Sequence, residues 1–167
     1  MGSRIAVLRD GVLMQIDTPQ RLYDYPDNIF VAGFIGSPSM NFLEATLVKE
    51  DGGLIVDTGA FRVPVPADKV AVWEQQYGQR VVLGIRPEDI HDPQYASPGI
   101  TAAEFTASVD VTELMGNEVF VYFRAGSQEF TARVDPRTSA RVGQDMPVVF
   151  DTSSMHLFDA ETERAIR

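Results

Sequence analysis

Cysteine is absent from this chain of 167 residues, and its absence excludes several kinds of site at once. Without a thiol the protein has no disulfide, no thiolate metal ligand and no cysteine nucleophile, which is compatible with a cytosolic protein. Histidine is also scarce, because only His91 and His156 are present and they stand far apart in sequence. With no cysteine to complete a ligand set, we expect no metal site.

Positive charge is the second scarcity. Fourteen Lys and Arg residues stand against 24 Asp and Glu, which gives a formal net charge of −10. Such a surface repels phosphate backbones and anionic lipid, so we expect no nucleic-acid partner. The chain also lacks an apolar run of about 20 residues and a basic-then-apolar leader, so we expect no direct membrane insertion. Hydrophobic residues still make up 44% of the chain, which is enough for a packed core.

The first part of the chain predicts a hairpin followed by two short helices. We interpret the first three residues as a start codon with added residues and leave them out of the fold. Two apolar runs, 5–8 and 12–16, are joined by Arg9-Asp10-Gly11, which is typical of a β-hairpin. Thr18 and Asn28 can each cap a helix. Ser37-Pro38-Ser39 is typical of a linker, so we predict a unit over residues 4–38 and a second over 39–167.

The second unit has the pattern of short alternating strands, interrupted by one helix. The helix is predicted over Asp68 to Tyr77, with Val70, Trp73 and Tyr77 on its core-facing side and Gly78 as its stop. Many short strands with a single inserted helix predict a mainly β, OB-like barrel. The alternating sets that predict the strands are Val81, Leu83 and Ile85; Phe105, Ala107, Val109 and Val111; Phe130, Ala132 and Val134; and Met146, Val148 and Phe150.

One hairpin of this unit is predicted in detail. Gly116-Asn117 lies between Leu114 and the apolar run that begins at Val119, which is typical of a tight turn. Glu113 occupies a position where the alternation requires an apolar residue. We therefore predict a β-bulge near Leu114.

Two ordered series of motifs carry a family resemblance. The stretch from Arg4 to Leu43 resembles the end of the nucleotide-binding domain of maltose-type sugar importer ATPases, of the ABC type. The rest resembles the barrel that follows in that family, called the TOBE or regulatory domain. The matching stretches are Arg4 to Leu8, Gly11, Thr18-Pro19, Leu22-Tyr23, Pro26, residues 30–38 and 40–42, then residues 84–88, 113–118 and 156–159, with Thr162.

This resemblance implies a parent protein that uses ATP and magnesium, but the motifs of an ATP site are missing here. Neither Lys49 nor Lys69, the only lysines, follows a glycine, so no phosphate-binding loop is present. No Ser-Gly-Gly signature loop is present, and Val148 to Asp151 is followed by Thr152 rather than by the Glu of a magnesium site. We therefore expect this chain to need no cofactor and not to act as an enzyme by itself.

In this family the barrel holds two ATPase subunits together at their C-terminal ends, and in some members it receives inhibitory proteins. The resemblance therefore implies a second copy of the subunit as partner, permease subunits reached through the nucleotide-binding domain, and a regulatory protein in some systems. It also implies a position in the cytoplasm, at the inner face of the plasma membrane. The candidate interface or regulator contacts are Arg86, Glu88, Glu113, Gly116, Asn117, Glu118 and His156.

Each candidate also has a purely structural interpretation. Arg86 would pair with a nearby carboxylate while Pro87 opens a turn, and residues 113–118 would form a bulged hairpin with exposed acids. His156 would be a hydrogen-bonded surface residue. His91-Asp92 would belong to a solvated acidic loop rather than to a metal cluster. Trp73 would pack in the core, not in a sugar-binding platform.

Two other functional classes stay open from the sequence. Related barrels in molybdate importers bind oxyanions at a dimer interface, so a sensor of oxyanions or sugars is one alternative. The acidity of the chain argues against such an anion site. An OB-fold that binds nucleic acid is the other alternative, and it would need a basic groove with aromatic platforms.

Overall fold

The computed structural model describes residues 3–50 and 52–167. Short 3-10 turns follow α3, β6 and β11. The helices and strands are β1 Ile5–Arg9, β2 Val12–Asp17, α1 Pro19–Asp24, α2 Ile29–Phe34, β3 Asn41–Glu50, β4 Gly53–Asp57, β5 Arg62–Pro64, α3 Ala67–Trp73, β6 Arg80–Ile85, β7 Ile90–His91, β8 Ala102–Leu114, β9 Val119–Ala125, β10 Gln128–Val134, β11 Asp145–Asp151 and β12 His156–Asp159.

The predicted hairpin and helix caps of the N-terminal segment (residues 4–38) are confirmed. β1 and β2 form a separate two-stranded sheet, and Asp10 and Gly11 both have positive φ in the turn between them. The Thr18 hydroxyl accepts the backbone N–H of the first turn of α1, and the Asn28 side chain does the same for α2. The hairpin still leaves several large apolar side chains exposed, namely Ile5, Leu8, Val12, Leu13 and Ile16.

The remaining strands form two five-stranded sheets, which confirms the mainly β fold. Their orders are β10-β9-β8-β11-β7 and β12-β6-β3-β4-β5, and every adjacent pair is antiparallel. Side chains from both sheets and from α3 belong to one hydrophobic core. Three of the four alternating sets are buried as predicted. We call this part, residues 39–167, the β-domain.

Side-chain amides fasten the two sheets to each other. Asn41, at the start of β3, donates to the Thr131 carbonyl at 2.9 Å and accepts the Thr131 N–H at 2.8 Å. Gln128, at the start of β10, donates to the carbonyls of Glu44 and Thr58. These bonds satisfy backbone groups at the places where one sheet meets the other.

The set Phe105, Ala107, Val109 and Val111 fails at its last residue, because the bulge lies at Asp110 rather than near Leu114. β8 pairs with β9 through Val109 and then Val111, so Asp110 is the extra residue. One inserted residue reverses the face of every later side chain in a strand. Val111 is therefore 46% exposed, contrary to the prediction.

The predicted helix over Asp68 to Tyr77 begins one residue earlier and ends sooner. α3 stops at Trp73, and a 3-10 turn over Glu74–Gln76 follows before Gly78, whose φ is +75°. Trp73 is 3% exposed and lies in the core, as predicted. Tyr77 was predicted to pack beside it, but the tighter 3-10 turn changes its direction and leaves it 54% exposed.

The last five residues, which we call the C-terminal strap (163–167), lie between the N-terminal segment and β12. On one side the Glu163 carbonyl accepts the Ile29 N–H at 3.0 Å. On the other side the Ile166 N–H donates to the Leu157 carbonyl at 2.8 Å. The strap therefore bonds to both parts of the chain. No helix in residues 3–50 and 52–167 is long and apolar enough to cross a membrane.

Candidate functional site

The seven predicted contact residues fall into two separate groups. Glu113, Gly116, Asn117 and Glu118 lie at the end of the β8–β9 hairpin, which we call the hairpin tip (residues 111–119). Arg86, Glu88 and His156 line one cavity between the N-terminal segment and the β-domain, which we call the seam cavity. None of the hairpin-tip residues lines that cavity.

The hairpin tip is a four-residue turn with an apolar surface. The Met115 N–H donates to the Glu118 carbonyl at 2.8 Å, and Gly116 has a φ of +81°, which favours glycine. Leu114 is 74% exposed and Met115 53% exposed, next to the exposed Val111. We call these three residues the tip patch.

The two acids of the tip bond within their own chain. The Tyr122 hydroxyl donates to the Glu113 carboxylate at 3.1 Å. Burial, and after it this hydrogen bond, raises the pKa of Tyr122. Glu118 lies 3.7 Å from the Arg133 guanidinium. Because neighbouring groups already contact both acids, the exposed apolar side chains are the main feature that a partner would meet.

Arg86 is the residue that joins the β-domain to the N-terminal segment. It is only 3% exposed, and its Nη1 and Nη2 donate to the carbonyls of Ile35 at 2.8 Å and Tyr23 at 2.6 Å. Its guanidinium also lies 3.7 Å from the centre of the Tyr23 ring. The expected carboxylate partner is wrong, because no acid in the described part of the chain lies within ion-pair distance of it.

Burial lowers the pKa of Arg86, since a cation loses hydration there. The backbone after it forms the predicted turn, a 3-10 helix over Pro87–Asp89. Glu88 is half-buried at the cavity wall. Arg86 thus connects the β-domain to the N-terminal segment, and its positive charge also faces the seam cavity.

His156 does not have the exposed position that we expected for it. It begins β12 opposite Gly84 and is half-buried. Its side chain forms no hydrogen bond within the part of the chain that the structure describes. Burial, with Lys69, Arg86 and Arg167 nearby, lowers its pKa to about 4. A Cβ on Gly84 would lie 2.7 Å from both Met40 Sδ and a Phe158 ring carbon, so the strand beside His156 requires glycine.

The seam cavity has a volume of about 590 Å³, within the range of small-molecule sites. Its walls come from the end of α1, from α3, from the turn after β6, from β12 and from the strap. Sequence reasoning missed Lys69, Asp89 and Arg167 here. The scarcity of lysine, with only two in the chain, was the one signal that could have directed attention to Lys69.

Two acids after β6 occupy different surroundings. Burial raises the pKa of Asp89 to about 6, although a hydrogen bond from Ser154 opposes the shift. Asp92 is 4% exposed and accepts the Thr138 hydroxyl at 2.7 Å. The solvated acidic loop expected at His91-Asp92 is therefore wrong, because Asp92 is a buried structural group. No cluster of three potential metal ligands occurs in residues 3–50 and 52–167.

Comparisons with known proteins agree with the geometry. The model of the MalK OB fold domain matches residues 36–90, and the model of the TOBE domain matches residues 65–158, which include all seven predicted contact residues. A solved structure of the cytoplasmic molybdate-binding protein ModG resembles the fold, with a TM-score of 0.50 over 70% of this chain and 94% of that one. At 16% identity, this likeness shows the fold alone.

Among curated relatives, the oligosaccharides import ATP-binding protein MsmX of Bacillus subtilis is 41% identical over all of this chain. The trehalose/maltose import ATP-binding protein MalK of Thermococcus litoralis is 42% identical over 99% of it. In both cases the match covers 45% of the relative, so this chain spans about half the length of these proteins. The chain belongs to the TOBE-domain family, in the form that is found in ATP-binding subunits of sugar importers.

Proposed function

We propose that this chain is the regulatory and dimerisation part of the ATP-binding subunit of a sugar-type ABC importer. The matched OB and TOBE domains and the names of its relatives support this assignment. The motifs of an ATP site are absent from these 167 residues. We infer that ATP and magnesium bind in the part of the relatives' length that this chain does not match, and that this part contacts the permease at the inner face of the membrane.

The observation that carries the pairing role is the tip patch. Leu114 and Met115 are adjacent and exposed at the end of a hairpin whose backbone is fixed by a bulge and a hydrogen-bonded turn, and Val111 is exposed on the same strand. Exposed apolar side chains that cluster on one rigid element mark interaction surfaces. Fully burying one aliphatic side chain contributes about 1.5–3 kcal/mol, so three of them supply a useful share of a dimer contact.

The occupant that we assign to the tip patch is a second copy of this chain. A two-fold pairing presents the same patch from both subunits, so an apolar patch meets an apolar patch. Such a patch suits this acidic chain, whose net charge of −10 would oppose pairing through most other surfaces. The Arg133 guanidinium, 3.7 Å from the Glu118 carboxylate, reduces the repulsion at the tip itself.

Light scattering on the purified chain at tens of micromolar tests this proposal. We expect a dimeric mass, and we expect Leu114→Asp to give monomers. Val142→Asp is the matched control, because Val142 is equally apolar, is 64% exposed and lies outside the tip. It should leave the mass unchanged.

The exposed hairpin of the N-terminal segment offers a competing route to a dimer, and a deletion separates the two. If the tip patch pairs the subunits, removal of residues 1–17 leaves the dimer intact. A monomeric mass for the intact chain would contradict the proposal. So would a dimer that survives Leu114→Asp and dissociates when residues 1–17 are removed.

A further inference from the structure

Three separate parts of the chain form the walls of the seam cavity. The N-terminal segment supplies residues 23–26, the β-domain supplies α3, the turn after β6 and β12, and the strap supplies residues 165–167. Its volume of about 590 Å³ is far larger than an inorganic oxyanion needs. An occupant of that size would contact both the segment and the β-domain.

Two half-buried or buried cations face this cavity without a carboxylate partner among the described residues. Lys69 donates from Nζ to the carbonyls of Ser153 and Met155, both at 2.6 Å, and lies over the Trp73 ring at 5.4 Å. An ammonium has three N–H donors and a guanidinium has five, so Lys69 and Arg86 each keep donor capacity beyond their two backbone bonds. Unneutralised cations are unusual in a chain with 24 acids and 14 Lys and Arg.

Lys69, Arg86, Arg167 and His156 all line this cavity. Burial, and after it the charges of Lys69, Arg86 and Arg167, lower the pKa of His156 to about 4. The ring is therefore neutral at physiological pH and keeps one N–H donor. Because Arg167 already pairs with Asp27, the donors left for a ligand in the cavity are Lys69, Arg86 and His156.

Acids occupy the rest of the wall. Glu88, Asp89 and Asp68 line the cavity, and Glu88 and Asp68 form no ion pair within the residues that the structure describes. Carboxylates accept hydrogen bonds from hydroxyl groups, and they repel a second anionic group. The cavity wall thus offers both hydrogen-bond donors and hydrogen-bond acceptors to one ligand.

We propose that the seam cavity binds a small molecule that carries one anionic group on a hydroxyl-bearing body. The anionic group lies against Lys69, Arg86 and His156, and the hydroxyls face Glu88 and Asp68. A sugar phosphate is the simplest molecule of this chemistry. This site is separate from the tip patch, so its occupancy does not depend on pairing of subunits.

The test is a titration of the intact chain with glucose 6-phosphate, followed by calorimetry and by the fluorescence of Trp73, the only tryptophan. We expect saturable binding and a change in emission, because Lys69 lies over the indole. Glucose, inorganic phosphate and molybdate should each bind about tenfold more weakly or worse, since each lacks one half of the chemistry. If phosphate or molybdate binds as tightly as glucose 6-phosphate, the proposal that the ligand has a hydroxyl-bearing body is wrong.

Matched lysine variants locate the site. Lys69→Gln should weaken binding by about tenfold or more, whereas Lys49→Gln should leave it unchanged, because Lys49 pairs with Glu74 outside the cavity. Leu114→Asp should also leave it unchanged, which separates this proposal from subunit pairing. If Lys69→Gln does not fold, NMR of the unaltered chain decides: the His156 ring signals must shift with glucose 6-phosphate while those of His91 stay. Absence of binding at millimolar concentration, or an equal loss in Lys49→Gln, would overturn the proposal.

Discussion

Replacement of Arg86 by methionine tests whether one buried guanidinium fixes the N-terminal segment on the β-domain. Methionine keeps a flexible apolar stem of similar length and removes only the charged donor group. The two carbonyls that lose their donor belong to Ile35 and Tyr23, both in the N-terminal segment. The stacking of the guanidinium on the Tyr23 ring is lost with them.

The magnitude follows from those lost contacts. A buried polar group left without its hydrogen bond costs about 1–3 kcal/mol, so two carbonyls set a range of roughly 2–6 kcal/mol. Removing a desolvated cation offsets part of this cost, since burial already disfavours the charge of Arg86. We therefore expect the free energy of unfolding of Arg86→Met to fall by about 2–4 kcal/mol.

Urea denaturation followed by circular dichroism measures this difference, and Arg137→Met is the matched control. Arg137 also stacks on a tyrosine, with its guanidinium 4.7 Å from the Tyr95 ring centre, but its side chain is 71% exposed. Its surface ion pair with Asp135 should contribute about 1 kcal/mol or less. The junction role of Arg86 is wrong if the free energy of unfolding of Arg86→Met lies within about 1 kcal/mol of that of the unaltered chain. It is also wrong if Arg137→Met lowers the free energy of unfolding as much as Arg86→Met does.

Three further predictions concern the core and the seam. Trp73→Ala should lower the free energy of unfolding by about 3–5 kcal/mol in urea, and the unaltered chain should show the blue-shifted emission of an indole that is 3% exposed. Gly84→Ala should cost about 1–3 kcal/mol in the same assay, because its Cβ would lie 2.7 Å from two side-chain atoms; a neutral result would show that the strand can move aside. Acid should affect two groups in opposite directions. The pKa of Asp89 is raised to about 6 from 3.8, so its protonation stabilises the fold as pH falls through 6. The pKa of His156 is lowered to about 4 from 6.5, so the unfolded chain takes up this proton first. Its contribution therefore lowers the stability of the fold as pH falls from 6.5 to 4. As pH falls through this window, His156→Gln should therefore gain stability relative to the unaltered chain and Asp89→Asn should lose stability relative to it, and parallel profiles for all three proteins would contradict the assignment.

Local signals predicted most of the secondary structure. Thr18 and Asn28 act through hydrogen bonds to N–H groups three residues away, and Asp10-Gly11 acts through its own backbone angles. Alternation predicted the buried faces of β6, β10 and β11, because successive side chains of a strand point to opposite faces of the sheet. The ordered motifs supplied the family, whose OB and TOBE domains the comparisons confirm.

Sequence patterns did not predict the features that depend on residues far away in the chain. The partners of Arg86 lie 51 and 63 residues earlier in the chain, and nothing in its own neighbourhood identifies them. The bulge lies at Asp110 rather than near Leu114, and there the Asp110 carboxylate contacts the guanidinium of Arg124 on the next strand at 2.7 Å. The role of Lys69 depends on the turn before β12, which places the carbonyls of Ser153 and Met155 beside α3.

The predicted boundary at residue 38 divides the sequence, yet the packing crosses it at three places. A small hydrophobic cluster joins Ala32 of α2 to Met40 and Phe158 of the β-domain. Arg86 reaches back into the segment, and the strap bonds to both parts. A hinge at residue 38 would have to break all three contacts, and it would leave a buried guanidinium without its acceptors. These three contacts therefore hold the segment against the β-domain.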